Sequence, residues 1–128
     1  MNSTISRYLK RDEKLKQLVG NKIDPFIPSN AKTYPYIVFE TSPFLSAEVT
    51  NTYRCDIRVL TQGGKESLLQ CETISNRLTE LLHFRNNFKV MVDETPIYHS
   101  KHVGGGLIYD DELKIYQQLL IFNIKTSI

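Results

Sequence analysis

The feature that most constrains this chain is a strict alternation of apolar and charged side chains between residues 50 and 62. The apolar set is Tyr53, Cys55, Ile57 and Val59, and the charged set between them is Arg54, Asp56 and Arg58. A period of two places the two sets on opposite faces of a β-strand. The chain must therefore build a sheet that packs one face on helices and turns the charged face to water or to another protein.

Two stretches have the periodicity of amphipathic helices. Residues 3–19 form the first, with Ser3 as a candidate N-cap and Gly20 as a candidate C-cap. Residues 65–82 form the second, in which apolar side chains recur at helical spacing: Leu68, Cys71, Ile74, Leu78 and Leu81. The first helix also has a basic outer surface, which indicates either a solvated face or contact with an acidic partner or passing DNA.

Three further strands are predicted, at 34–42, 87–99 and 113–126. The last one is apolar on both faces from Leu119 to Phe122, which is typical of a strand buried on both sides or placed in an interface. The predicted fold is one α+β domain spanning residues 1–128. It has a mostly antiparallel sheet of about four strands, with two helices packed on one face, in the order α-β-β-α-β-β.

The connection between the last two predicted strands, residues 100–112, contains two unusual clusters. One is the glycine run Gly104, Gly105 and Gly106, and the other is the acidic run Asp110, Asp111 and Glu112. Hairpin connections usually have about 2–5 residues, so this one is predicted to be a mobile loop that becomes ordered on a partner. The alternative is an idle hairpin tip. The loop, together with Arg54, Asp56 and Arg58, is the candidate interface.

Composition and motifs favour binding over catalysis. The net charge is only +2, which argues against a nucleic-acid-binding domain that works by charge. Cys55 and Cys71 fit no metal or redox motif and are predicted to be buried thiols. No P-loop, dinucleotide fingerprint, nucleophile elbow or converging metal ligands are found. No catalytic, cofactor-binding or metal residue is therefore predicted, and no cofactor.

The sequence also lacks the features of export or membrane insertion. Residues 1–10 are polar, and no apolar run reaches the roughly 20 residues that cross a bilayer. Assembly in a cytoplasm, without a membrane partner, is the expectation.

Five stretches together resemble the tail-terminator, or tail-completion, proteins of long-tailed bacteriophages. They are LVGNKI at 18–23, YPYIVF at 34–39, YRCDIRV at 53–59, the helix 65–82 and the closing strand 116–125. The likeness spans nearly the whole chain, and it consists of hydrophobic patterns with a few punctuating residues.

The resemblance implies a structural virion protein. Such proteins form a ring, usually a hexamer, that caps the tail tube, ends its polymerisation and presents a surface to the head–tail connector. The implied partners are copies of the same chain, the tail tube protein and the connector, with DNA only in transit through the lumen. The resemblance implies no enzymatic activity and no cofactor. The alternatives are a neck or head-completion adaptor of a phage and a small nucleic-acid-binding domain.

Overall fold

A computed structural model describes residues 1–25, 34–46, 51–84, 90–92 and 94–126, except for the side chains of residues 44–46. The helices are α1 (Asn2–Lys10), α2 (Glu13–Val19) and α3 (Lys65–Leu82). The strands are β1 (Ile23–Asp24), β2 (Tyr36–Ser46), β3 (Asn51–Gln62), β4 (Val90–Val92), β5 (Thr95–Asp110) and β6 (Ile115–Thr126).

The strands of the described residues form one six-stranded, curled sheet in the order β1-β2-β3-β6-β5-β4. The β1–β2 pair is parallel and the other pairs are antiparallel. The predicted sheet of about four strands with two helices, in the order α-β-β-α-β-β, is therefore wrong. Strands β1 and β4 have only two and three residues, too few for a periodic pattern to reveal them.

The predicted helix 3–19 is divided in two at Asp12. The backbone of Asp12 is extended, and its carboxylate accepts a hydrogen bond from the backbone N–H of Leu15 at 2.9 Å. An aspartate in this position is an N-cap, so it starts a new helix instead of continuing the old one. Ser3 is not the cap of α1, which begins after Met1. Gly20 ends α2 with a positive φ of 65°, as predicted.

The predicted loop 100–112 is also wrong. Residues 100–110 continue strand β5, and only residues 111–114 form the turn to β6. The register of β5 against β6 shifts between Ile97 and His99 and between His102 and Gly104. These irregularities interrupt the alternation from which a strand is recognised. Strands β3 and β6 and helix α3 lie within about two residues of their predicted positions.

Strand β2 differs from its prediction at both ends. It was expected over 34–42, with Pro43 as its end, yet it runs from Tyr36 to Ser46. Pro43 faces Tyr53 within the ladder, next to a register shift that precedes Leu45. Proline is tolerated at edge strands and bulges, which is where this residue lies.

The main core lies between the three helices and one face of the sheet, and a smaller buried cluster of Tyr36, Val38, Leu60 and Ile115 lies on the other face. Four residues predicted to be buried, Ile57, Ile74, Leu78 and Phe122, have no exposed surface, which confirms that prediction. Full burial of such a side chain stabilises the fold by roughly 1.5–3 kcal/mol. The thiols of Cys55 and Cys71 lie in the same core.

Helix α1 contacts strands from both halves of the curled sheet. The side-chain oxygen of Asn2 accepts hydrogen bonds from the backbone N–H and the hydroxyl of Thr41 on β2, at 3.1 and 2.5 Å. At the other end of the helix, Arg11 donates to the backbone carbonyl of Met91 on β4, at 2.9 Å. The helix thus connects the two ends of the sheet. None of the helices in the described part of the chain is long and apolar enough to cross a membrane.

Candidate functional site

The charged residues of β3 lie on the sheet face opposite the helices, here called the open face. Arg54 and Arg58 are exposed and Asp56 is half-buried, whereas Cys55, Ile57 and Val59 between them are buried in the core. The Arg54 guanidinium pairs with the Asp56 carboxylate of the same strand, with 2.8 Å between Nε and Oδ1. The exposure of the pair makes it a weak contributor to stability. These charges are available to a partner.

Two of the three predicted glycines share the open face with these charges. Ile121 of β6 pairs with Asp56 of β3 on one side and with Gly104 of β5 on the other. Leu119 of β6 likewise pairs with Arg58 and with Gly106. Directly paired residues point to the same face of a sheet. The structure therefore brings the charged set and Gly104 and Gly106 onto one surface, two strands apart.

Gly105 has a different role. Its φ is +144°, and a Cβ added there would lie 2.0 Å from the carbonyl oxygen of Leu119. At Gly106 an added Cβ would meet nothing within 4 Å, and at Gly104 it would only touch Ile121 at 3.8 Å. Gly105 is thus required by the close approach of β5 to β6, and its neighbours are not.

The outer edge of β2 and the outer edge of β5 differ in how much of their length the chain covers. On the β2 side, β1 pairs with Ile37 and Val38, and Asn2 accepts from Thr41. On the β5 side, β4 pairs with residues 95–97, and a bridge from Phe84 reaches Ser100. The imidazole Nδ1 of His83 accepts from the backbone N–H of His102 at 3.1 Å. Beyond that point, no strand among the described residues pairs with the outer edge of β5 at 103–110.

This uncovered half of β5 and the turn after it, residues 103–114, are here called the hairpin arm. Of the eight large hydrophobic side chains that are exposed in the described part of the chain, five belong to the arm: Val103, Leu107, Ile108, Tyr109 and Leu113. Ile108 and Leu113 are each 62% exposed. Apolar side chains clustered on an unpaired edge strand are typical of a protein–protein contact, because they would otherwise promote aggregation.

The acidic residues 110–112 form the turn at the end of the arm. The carboxylate of Asp110 accepts hydrogen bonds from the backbone N–H groups of Glu112 and Leu113, at 3.0 and 3.1 Å. Asp110 therefore shapes the turn, whereas Asp111 and Glu112 are exposed. The predicted site residues thus divide between the open face and the tip of the arm.

The arm is tied to the body of the protein at its base. The backbone N–H of Gly63, just after β3, donates to the carbonyl of Lys114 at 2.7 Å. The rings of Tyr109 and Tyr116 pack with their centroids 5.0 Å apart. These contacts give the arm a defined direction, so it is a structured hairpin. The prediction of a mobile loop that becomes ordered on a partner is therefore wrong, because this segment is an ordered strand and turn.

The apolar residues of the arm were missed at the level of sequence. Their signal is the run Leu107, Ile108 and Tyr109 directly after the glycines, followed by a four-residue turn of normal hairpin length. Had residues 100–110 been recognised as a strand, this run would have stood out as an apolar edge.

The buried thiols have no features of a reactive site. Burial raises the pKa of the Cys55 thiol to about 12, and burial also raises the pKa of Cys71. Both thiols are therefore protonated at neutral pH and are poor nucleophiles. Within the described residues, no group of three His, Cys, Asp or Glu side chains is arranged to hold a metal ion.

Comparison with known proteins gives a likeness in fold. No protein-family model matches the sequence, and no curated protein matches it. Among solved structures, the chain is similar to a chain of the "Virion of native gene transfer agent (GTA) particle", with a TM-score of 0.76 and 11% sequence identity. The match covers 99% of this chain and 94% of that one. The two chains share a fold over nearly their whole lengths.

Proposed function

We propose that this chain is a structural protein of a virion. The observation that carries the proposal is the fold it shares, end to end, with a chain of a gene transfer agent virion. The hairpin arm supports it, because an apolar edge strand needs a partner to cover it in the assembled state. On this proposal the chain acts by binding and not by catalysis, and it needs no cofactor.

Within the virion, we propose the role of a tail terminator that is built as a ring of about six copies. The bacteriophage family that the sequence resembles works in this way. The tip of the arm and the charged residues of β3 lie on different parts of the subunit, so different partners can occupy them at once. Contact between unlike surfaces of identical subunits either closes into a ring or grows into a filament. A cap at the end of a tail tube requires that these contacts close into a ring.

The further partners follow from that position. One rim of the ring binds the last layer of the tail tube protein, and the other rim binds the head–tail connector. DNA passes through the lumen only in transit, which agrees with the net charge of +2 and does not need a basic lining. Assembly takes place in the host cytoplasm, and the finished protein is located in the virion tail.

The direct test is deletion of the gene in a host that produces the particles, with electron microscopy of the products. A terminator predicts tail tubes of variable length without attached heads, and addition of the purified chain to new assemblies restores one tail length. Tails of one normal length that fail to join finished heads would overturn the terminator role and favour a neck adaptor. Particles of normal form would overturn the virion role altogether.

A further inference from the structure

We propose that the tip of the hairpin arm binds a second copy of this chain, in the groove between the α1–α2 corner and the end of α3. The inference rests on the proposed ring and specifies its subunit contact. Leu113 of one subunit would lie on the apolar floor of the groove in the next subunit. Asp111 and Glu112 would pair with the basic side chains around it.

The groove has the size and the lining for such a tip. Its volume is about 550 Å³, and its floor includes the half-buried side chains of Leu81 and Val90. Arg11 and Lys14 stand at its rim, with the Arg11 guanidinium 5.0 Å from the centre of the Tyr8 ring. Sites of about 300–1,000 Å³ with an apolar floor and a few polar groups are typical binding sites.

Charge complementarity favours this groove as the partner of the arm, because Arg11, Lys14 and Arg77 line it against Asp12 and Glu13, and further basic residues surround it in sequence. Residues 7–22 contain six basic side chains, Arg7, Lys10, Arg11, Lys14, Lys16 and Lys22, against two acidic ones, Asp12 and Glu13. Asp12 is already paired with Arg77, at 2.5 Å between Oδ1 and Nη2. Residues 110–112 are the only three consecutive acidic residues of the chain. A strongly basic segment and a strongly acidic one within a nearly neutral chain complement each other across an interface.

The contact cannot form within one subunit. Val90 pairs with Ile97, at the end of the β5–β6 hairpin where Ile97 faces Thr126. The tip lies at the other end, where Asp110 faces Ile115. The eleven residue steps between these ends of β6 span roughly 35 Å. The acidic tip and the basic groove therefore lie at opposite ends of the molecule, which is the arrangement that a head-to-tail ring requires.

Disulfide trapping tests the contact in the full-length chain. The double variant Asp111→Cys with Lys14→Cys places one thiol on the tip and one on the rim of the groove. The native cysteines do not interfere, because both are buried. Under mild oxidation at high protein concentration, we expect a ladder of linked chains on a non-reducing gel, up to about six. The matched control, Asp111→Cys with Arg58→Cys, is expected to give no such ladder because Arg58 is on the open face.

Charge exchange provides a second readout that does not depend on new thiols. Asp111→Lys with Glu112→Lys is expected to abolish the oligomer in light scattering, and so is Lys10→Glu with Lys14→Glu. The chain that carries all four changes is expected to recover at least about half of the oligomer that the unmodified protein forms. The matched control is Glu66→Lys with Glu72→Lys, which makes the same change of charge on exposed positions of α3 and is expected to leave the oligomer intact.

The results separate this inference from the proposed function. Rings that form as usual in both charge-reversed variants, or a ladder only in the Arg58→Cys control, would overturn the groove as the partner and leave the ring in place. A chain that is monomeric without any substitution, and that forms no ring in particles, would overturn both.

Discussion

At the scale of single residues, the glycine run of β5 shows how composition and structure can lead to different conclusions. Three consecutive glycines indicate backbone freedom, and the sequence was interpreted in that way. Of these three glycines only Gly105 has a positive φ, and it is held against the carbonyl of Leu119. Gly105 is therefore needed where β5 packs closely on β6. Gly104 and Gly106 add no side chain to the surface beside it.

Gly105→Ala is accordingly expected to destabilise the protein by about 2–3 kcal/mol, because the added Cβ would collide with the backbone and strain it. Gly106→Ala is the matched control, since its Cβ would meet nothing within 4 Å. Urea unfolding of the two variants measures the difference. Equal midpoints would show that β5 does not approach β6 as described.

Asp12 is the second residue whose role the sequence does not reveal. It caps α2 and binds Arg77, which reaches it from α3. The side-chain hydrogen bond from Arg77 lowers the pKa of the Asp12 carboxyl below its ordinary value. An acid in a predicted helix is usually part of its solvated face, and only the tertiary contact with Arg77 distinguishes this one.

Asp12→Ala is expected to cost about 1–3 kcal/mol, because it removes both the cap and the partner of a half-buried arginine. Asp12→Asn retains one oxygen for the cap but loses the charge and one of the two oxygens that accept from Arg77, so it should cost less than Asp12→Ala. Because the folded pKa is lowered, the stabilisation is present above the unfolded pKa of about 4 and is lost as the pH falls through the folded pKa. Urea midpoints between pH 6 and pH 2 should thus fall more steeply in the unmodified protein than in Asp12→Asn. Parallel slopes would contradict the pairing.

At the scale of elements, the sequence predicts those parts of the fold in which one period persists over several turns or residues. Strand β3, helix α3 and strand β6 satisfy that condition, and each lies within about two residues of its prediction. Strands β1 and β4 are too short to show a period. The bulges of β5 break its alternation, and so the arm and its apolar residues were hidden. The open-face charges were found because β3 is regular.

Which face of α3 packs on the sheet can be tested by truncating its buried and exposed side chains. Ile74→Ala or Leu78→Ala is expected to cost about 2–5 kcal/mol, the usual range for deep aliphatic sites. Leu69→Ala, on the same helix, is the control, because Leu69 is 61% exposed and its truncation should change stability very little. Denaturant unfolding gives the three values. A loss at Leu69 equal to that at Ile74 would mean that the helix presents a different face to the sheet.

At the scale of the whole molecule, the described helices cover one face of the sheet, and the opposite face carries the exposed charges of β3 beside a small buried cluster of Tyr36, Val38, Leu60 and Ile115. The chain's own segments cover the edge of β2 and the beginning of β5, and the hairpin arm extends beyond them. The acidic tip and the basic α1–α2 surface lie at opposite ends. In the proposed ring, this arrangement lets each subunit bind its neighbour head to tail and leaves the open face to another partner.

The open face has its own prediction. Reversal of both charges, in Arg54→Glu with Arg58→Glu, is expected to impair particle assembly while the chain remains folded, because both side chains are exposed and point away from the core. Circular dichroism tests folding and electron microscopy of particles tests assembly. Normal tails from the double variant would mean that these residues are simply solvated.

The proposed closed ring can be tested through the mass of the protein in solution. Size-exclusion chromatography with light scattering, over a series of rising protein concentrations, should reach a plateau near the mass of six chains of 14.8 kDa, about 89 kDa in total. A plateau marks a closed ring, because an open filament would keep growing with concentration. A mass of one chain at every concentration, together with the absence of a ring from purified particles, would contradict the account.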